Sequence, residues 1–382
     1  MTLRTALALS FLGLTATAVA CGGSPGATIP EGSADGTHPD AGSTNANHTG
    51  SNGGDQGSDD AGIGTSQDDA GEPSDDGGGS NVKDAGGSSK DAGVCAACAG
   101  TVLAMGLADP EDVAVDDTNV YWTNKTAGTV TTVSKMGGKV TTLASGQASP
   151  RGLVVDDTYV YFALYSNVGA VRRVPKAGGA APTDVATGQY YPYRIALTAD
   201  TVYFTSDSTQ GKVSSVAKIG GKVTVLAGTQ NSPRGIAVDA TNVYWSTYQG
   251  IASLPLLAGD GGLPNKLSTT EQFPFALTSD ATTLYWYDEY ADVVRATAKS
   301  GGGLSTLATV VTSHDQGARS IVVDTDYVYW NDRVGGTIQK VSKLGGLASS
   351  LGTASAPTGL AIDQSFIYFS NQGDGTIRKL GK

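Results

Sequence analysis

The chain is 382 residues long, with 53 glycines, three cysteines, three histidines and 36 acidic against 25 basic side chains. Its net charge of −11 sits in one stretch, since residues 22–94 hold 13 acids against Lys83 and Lys90, whereas residues 95–382 carry 22 basic and 23 acidic groups. That leaves a nearly neutral body of 288 residues, long enough to bury a large core and lacking the basic excess that a nucleic-acid-binding surface needs.

Residues 1–20 read as an export signal. Arg4 supplies the positive start, and Ala6 to Leu14 form an apolar run too short to span a bilayer. Small residues follow, ending Ala18-Val19-Ala20-Cys21. This resembles the bacterial lipoprotein signal, in which a cysteine after small residues is acylated and becomes the mature N-terminus. The resemblance implies lipidation at Cys21 and anchorage to a membrane through that lipid. With Gly22 rather than an aspartate next, it implies the outer membrane or cell surface. Simple cleavage after Ala20, leaving a secreted or periplasmic chain, is the alternative.

Residues 21–94 begin with that cysteine and continue in Gly, Ser, Asp, Ala, Thr and Asn, with Asp-Ala-Gly starting at Asp40, Asp60, Asp69, Asp84 and Asp91. A stretch without aromatic side chains buries too little apolar surface to offset its ordering entropy, so a disordered spacer is expected. Its scattered aspartates have no fixed turn to gather them around a calcium ion.

Residues 95–382 are repetitive. An apolar residue, Tyr, then Trp or Phe recurs about every 41 residues, with the tyrosines at Tyr121, Tyr161, Tyr203, Tyr244, Tyr285, Tyr329 and Tyr368. All four tryptophans fall at this one position. Each unit reads as four strands. In the first these are Val113–Asp116, a short apolar run; Val120–Trp122; the alternating Gly128–Val133; and Lys139–Leu143 after a Gly137-Gly138 hairpin. Four strands per repeat of this length is the pattern of a β-propeller blade. The last unit stops after three strands. Leu-Ala-x-Gly-x-Ala-x-Pro at residues 103–110 repeats at 143–150, so Thr101–Met105 is a fourth strand without a blade before it. The fold expected is all-β, a seven-bladed propeller whose N-terminal strand completes the last blade and closes the ring, most simply as a monomer.

At these residues the chain resembles the YWTD propellers of lipoprotein-receptor ectodomains and, more loosely, NHL repeats. The resemblance differs in blade number, since YWTD propellers usually have six. It implies architecture and little about function, because such folds host receptors, scaffolds, lyases and lactonases.

Read as a repeat, the Tyr-Trp positions are packing between blades. Asp116, Asp156, Asp239, Asp324 and Asp363 stand five residues before the tyrosine and are expected to accept backbone N–H bonds in their own turns. The third copy has Thr198 there, and the fifth reads as altered by a two-residue insertion. Lys135, Lys176, Lys218, Lys299, Lys343 and Lys379 precede the glycine hairpins and should ring one face. They would be either solvated edge lysines or a surface for anionic lipid or polysaccharide.

The opposite face is where the repeats disagree, and ligand contacts are expected there. Arg151, Arg194, Arg234 and Arg319 come from different blades yet share that face, with Tyr165, Tyr193 and Tyr248 nearby. This set reads as a site for an anionic small molecule, polysaccharide or protein, with few acids to match the arginines. Ion pairing with Glu111 and Asp112 is the competing account. No catalytic residue, metal or cofactor is assigned. His314 beside Asp315 is the sole histidine of the body and keeps a metal-assisted lyase or hydrolase as the alternative function. Cys95 and Cys98, in an exported chain, are expected to form a disulfide rather than a metal or redox site.

Overall fold

A computed structural model of the chain describes residues 99–310 and 317–382. The leader, Cys21, the spacer, Cys95, Cys98, His314 and Asp315 lie outside the described residues.

The first blade is built from β2 (Pro110–Val115), β3 (Asn119–Asn124), β4 (Thr129–Ser134) and β5 (Thr141–Ala144), hydrogen-bonded in that order from the ring axis outward. Five further four-stranded antiparallel sheets repeat the arrangement. The seventh has β26 (Pro357–Ile362), β27 (Phe366–Asn371) and β28 (Thr376–Gly381) from the C-terminus, and β1 (Thr101–Ala104) pairs antiparallel with β28 as its outermost strand. The ring of seven blades therefore closes through the N-terminal strand, as the repeat register requires. Blades are numbered here by their tyrosines, from Tyr121 in blade 1 to Tyr368 in blade 7.

The repeat signature marks where the core lies. A strand in the middle of a blade has a neighbouring blade on each face, so both sides of β3 and its equivalents are buried. Val120, Tyr121 and Trp122 are all at most 1% exposed. Side chains alternate across a strand, so the tyrosine and the following Trp or Phe enter different junctions. Tyr121 packs with Phe162 of blade 2, Tyr161 with Phe204 of blade 3, and Tyr368 with Trp122 of blade 1. The core is thus seven similar wedges between blades, each containing one blade's tyrosine and the next blade's Trp or Phe.

The innermost strands are held close around the axis. A Cβ at Gly152 would run into the Tyr193 carbonyl, and one at Gly359 would meet the Glu111 carbonyl at 2.7 Å. Glycine is needed there for room, and the result is a narrow channel of about 160 Å³. Its walls include Val113, Leu153, Ile195, Ile236, Leu277 and Ile321, one from each of blades 1 to 6.

The two faces differ. One carries the turns between first and second strands and the glycine hairpins; it is called the turn face below. The other carries the entries to the innermost strands and the loops between second and third strands; it is the loop face. On the turn face Gly137 and Gly138 adopt φ values of 82° and 112°, which explains the glycine pair.

Candidate functional site

The turn face is a ring of clamps. Asp116 Oδ1 accepts bonds from Thr118 N and Asn119 N at 2.9 and 2.8 Å, the own-turn role expected of it. Its other oxygen takes the Tyr121 hydroxyl at 2.7 Å and lies 2.6 Å from Lys176 Nζ, on the next blade. The same trio recurs as Asp156 with Lys218, Asp239 with Lys299, Asp280 with Lys343, Asp324 with Lys382 and Asp363 with Lys135, at 2.8–3.1 Å. Each lysine also lies 5.2–5.9 Å from the ring centroid of the tyrosine that shares its aspartate.

Three expectations change accordingly. Five of the six lysines are not free solvated gatekeepers, because each pairs with an aspartate of the preceding blade. The seventh blade's member is Lys382, whose N–H bonds Ser365 O as Lys343 N bonds Asp326 O. Lys379 instead turns its ammonium to the Lys135 carbonyl at 2.7 Å. The fifth blade keeps its aspartate as Asp280, bonded to Tyr285 at 2.8 Å. Only the junction of blades 3 and 4 lacks the trio among the described residues, since Thr198 replaces the aspartate and Leu256 stands in the lysine's place. Leu256 packs against the cluster of Tyr203 instead.

The loop face gathers the arginines, because Arg151, Arg234 and Arg319 stand at the entries to their innermost strands and Arg194 stands one position further in. Arg194, in β10 (Pro192–Leu197), reaches across it. Its Nη1 lies 2.6 Å from Asp112 Oδ2 on blade 1, and its Nη2 donates to the Arg319 carbonyl on blade 6 at 3.0 Å. Burial works against the guanidinium charge, yet Asp112 more than compensates and raises its pKa. Asp112 also accepts from Leu153 N at 2.9 Å. Arg194 and Asp112 therefore form a polar cap over the apolar channel.

Arg151 and Arg319 each place Nη1 3.9 Å from one oxygen, Glu111 Oε1. Glu111 is only 6% exposed and also accepts from Gln372 Nε2 at 3.0 Å. Arg151 lies 4.3 Å from the Tyr165 ring and 5.4 Å from that of Tyr193. Arg234 pairs with Asp207 at 3.3 Å and covers Phe275 at 4.7 Å. Acids thus meet the arginines more fully than the sequence suggests, through Glu111, Asp112 and Asp207. Burial raises the Tyr165 pKa, with Asp207 acting in the same direction.

Of the seven residues singled out, Arg151, Arg194, Arg234, Arg319, Tyr165 and Tyr193 belong to one connected cluster. Tyr193 is 4% exposed and supports the cluster from below rather than offering a surface. Tyr248 packs on Phe273, with centroids 4.2 Å apart, and lines a separate groove of blade 4.

One further residue belongs to the cluster. Arg333, between the second and third strands of blade 6, donates to the Ala356 carbonyl at 3.3 Å. Burial lowers its pKa, and the adjacent Arg319 charge lowers it further. Among the described residues no carboxylate forms an ion pair with it. Its position in a variable loop was visible in the sequence, but its closeness to Arg319 depends on the tertiary fold. No group of three or more metal-ligating side chains occurs among the described residues.

No protein-family model matches the chain, and no match occurs among curated proteins. Solved structures do match. The chain is similar to virginiamycin B lyase from Staphylococcus aureus, with 16% identity, 72% of this chain and 95% of that one covered, and a TM-score of 0.61. A streptogramin B lyase gives 13%, 73%, 95% and 0.61 in the same order. The WD40 β-propeller domain of Doa1 gives 13%, 76%, 97% and 0.58. The likeness is one of fold. One architecture in a lyase and in a WD40 domain leaves function to the residues of the loop face.

Proposed function

We propose that the propeller is a binding or scaffolding module that takes an anionic group at the centre of its loop face. The observation that carries this reading is the pair Arg319 and Arg333. Both arginines belong to blade 6, where Arg333 also bonds the Ala356 carbonyl at 3.3 Å, and burial together with the Arg319 charge disfavours the charge on Arg333. Glu111 and Asp109 act on Arg333 in the opposite sense, but neither forms an ion pair with it among the described residues, and Glu111 is shared with Arg151 and Arg319. Like charges brought together in a partly desolvated place cost free energy, and a carboxylate, phosphate or sulfate between them offsets it. The partly exposed ring of Tyr165, beside the Arg151 guanidinium, gives the rest of a ligand a flat surface.

A thermal-shift panel of matched neutral, carboxylated, phosphorylated and sulfated compounds tests this. Anionic members should raise the melting temperature, with an effect that shrinks as salt is added. The Arg333→Ala variant should lose the shift. Equal shifts from neutral and anionic compounds, or a shift retained by the variant, would exclude the reading.

The module is proposed to sit at a bacterial outer membrane or cell surface, anchored by lipid on Cys21. Support comes from the Ala18-Val19-Ala20-Cys21 sequence and the polar stretch after it. Labelling with a radioactive fatty acid, lost in Cys21→Ser, is the test.

A further inference from the structure

Blade 4 departs from its sisters on the loop face. In the others four residues join the second and third strands, as between Asn124 and Thr129 in blade 1. In blade 4 only Tyr248 and Gln249 separate β15 (Asn242–Thr247) from β16 (Gly250–Pro255). The tight turn needs Gly250, whose φ is 147° and whose Cβ would collide with the Ser268 carbonyl. With the loop shortened, the rim of the blade is low and a groove of about 820 Å³ opens beside it. This is within the roughly 300–1,000 Å³ typical of ligand clefts.

The lining is unlike the arginine cluster. Amides and hydroxyls dominate it, with Lys266 the only base and Glu271 the only acid among the described residues that line it. Glu271 is 2% exposed, and its carboxylate accepts from the hydroxyls of Ser268 and Thr270. The Gln230 amide is fixed on both sides. Its Oε1 accepts from Trp245 Nε1 at 3.0 Å, and its Nε2 donates to Gly228 O at 2.8 Å. Over this polar bed stands Tyr248, 41% exposed and braced by Phe273.

We propose that this groove is a second binding site, for a neutral oligosaccharide. A sugar ring has an apolar C–H face that stacks on an aromatic ring and a hydroxyl edge that both donates and accepts. Primary amides and hydroxyls answer that edge, and an oriented amide such as Gln230 does so without an ordering cost. Peptide side chains would need apolar pockets, yet Ile251 and Ala252 at the groove are buried in the blade core, at 1% and 7% exposure. An anion would meet no arginine.

Titration calorimetry of the full chain with maltohexaose, cellohexaose and chitohexaose tests the proposal, with an oligogalacturonate and a neutral Gly/Ser peptide as controls. At least one neutral oligosaccharide should bind, with an affinity that salt leaves unchanged. Tyr248→Ala should weaken it by roughly tenfold or more, as losing a central aromatic contact does, whereas Tyr248→Phe and Arg333→Ala should retain it. An unchanged melting temperature of Tyr248→Ala shows that the loss is local. Absence of binding by every neutral oligosaccharide, binding of the peptide instead, or binding indifferent to Tyr248→Ala would each overturn the proposal. Salt-sensitive binding of oligogalacturonate alone, lost in Arg333→Ala, would also overturn it while leaving the anion site on the loop face standing.

Discussion

Lys135 Nζ bonds Asp363 Oδ2 at 2.8 Å, tying the first blade to the last by the contact that ties Lys343 to Asp280 in mid-chain. Sequence separations of 228 and 63 residues are equivalent in the ring. The aspartate is the hub of each clamp and the lysine its outer arm. Asp280 accepts from Thr282 N, Thr283 N, Tyr285 and Lys343, so Asp280→Ala strands several donors at once. It should cost about 2–3 kcal/mol, whereas Lys343→Ala, which removes one partly exposed partner, should cost only about 0.5–1 kcal/mol. Urea unfolding of the two variants checks the ranking, and equal losses would refute the hub assignment.

The seam between blades 3 and 4 offers the reverse experiment. Thr198 and Leu256 replace the aspartate and lysine together, and an apolar contact with the Tyr203 cluster takes the place of the charges. Thr198→Asp alone adds a carboxylate without its lysine, and Leu256→Lys alone removes packing. Together they should rebuild the clamp with a favourable coupling of about 0.5–1 kcal/mol in a double-mutant cycle. Strict additivity would mean that this junction has diverged too far to accept it.

The clamps also set a pH window. Burial pushes the six aspartates upward from 3.8, but the lysine, tyrosine and backbone donors outweigh it, holding Asp324 at about 2 and lowering the other five as well. Groups with depressed pKa stabilise the fold above their unfolded value and lose that contribution as pH falls through the folded one. Burial and the neighbouring aspartate raise Tyr161, Tyr244 and Tyr285 from 10.0 to about 12. Their contribution is complete below pH 10.0 and is lost as pH rises toward about 12. The urea midpoint should therefore be flat from about pH 5 to about pH 9, fall below about pH 4, and fall again above about pH 10. A decline already under way between about pH 7 and pH 5 would implicate other groups.

The architecture was legible in the sequence because the packing between blades is itself periodic. Every wedge needs a Tyr and a Trp or Phe at fixed spacing, so Tyr121 to Tyr368 report the fold directly. The own-turn bonds of Asp116 were legible for the same reason, being local. What the repeat hides is contact between units. Nothing inside one blade says that Asp239 meets Lys299 from the next, although the joint loss at Thr198 and Leu256 carries that signal. The arginines were legible as a set because register places them on one face. Glu111 and Asp112 were legible as candidate partners, but which arginine meets which acid was not, since that depends on blades 1, 2, 3 and 6 surrounding one axis. The blade 4 groove was masked by arithmetic. Its short loop is offset by a long hairpin after Pro255, leaving the Tyr244 to Tyr285 spacing at an ordinary 41.

Ring closure depends on β1. Its loss would expose the ladder groups of β28 and uncover Leu103 and Ala104, which are 7% and 5% exposed in the closed ring. A chain starting at residue 109 should therefore unfold far more readily than one starting at residue 95, and should associate through the open edge. Sedimentation and thermal unfolding of the two chains decide the matter. Equal stability and a monomeric shorter chain would contradict closure by the N-terminal strand.

Arg194 and Arg333 share the loop face but should respond in opposite ways to truncation. Arg194 is the counter-charge of Asp112, a carboxylate 5% exposed whose remaining oxygen and backbone contacts hold the entry of β2. Arg194→Ala would leave that carboxylate without its cation and should cost about 3 kcal/mol, the lower end for breaking a buried pair. Arg333 has no such debt among the described residues, and its removal relieves Arg319 of a neighbouring like charge. Arg333→Ala should leave stability unchanged or raise it by about 0.5 kcal/mol, while abolishing the stabilisation that anions confer. Arg151→Ala should fall between, because its contact with Glu111 is long at 3.9 Å while its guanidinium packs 4.3 Å from the Tyr165 ring centroid. Urea unfolding of the three variants, with and without an anionic compound that stabilises the parent, gives six midpoints. If Arg333→Ala destabilises as much as Arg194→Ala, the whole cluster is a structural plug, and ligand binding must be sought elsewhere on the ring.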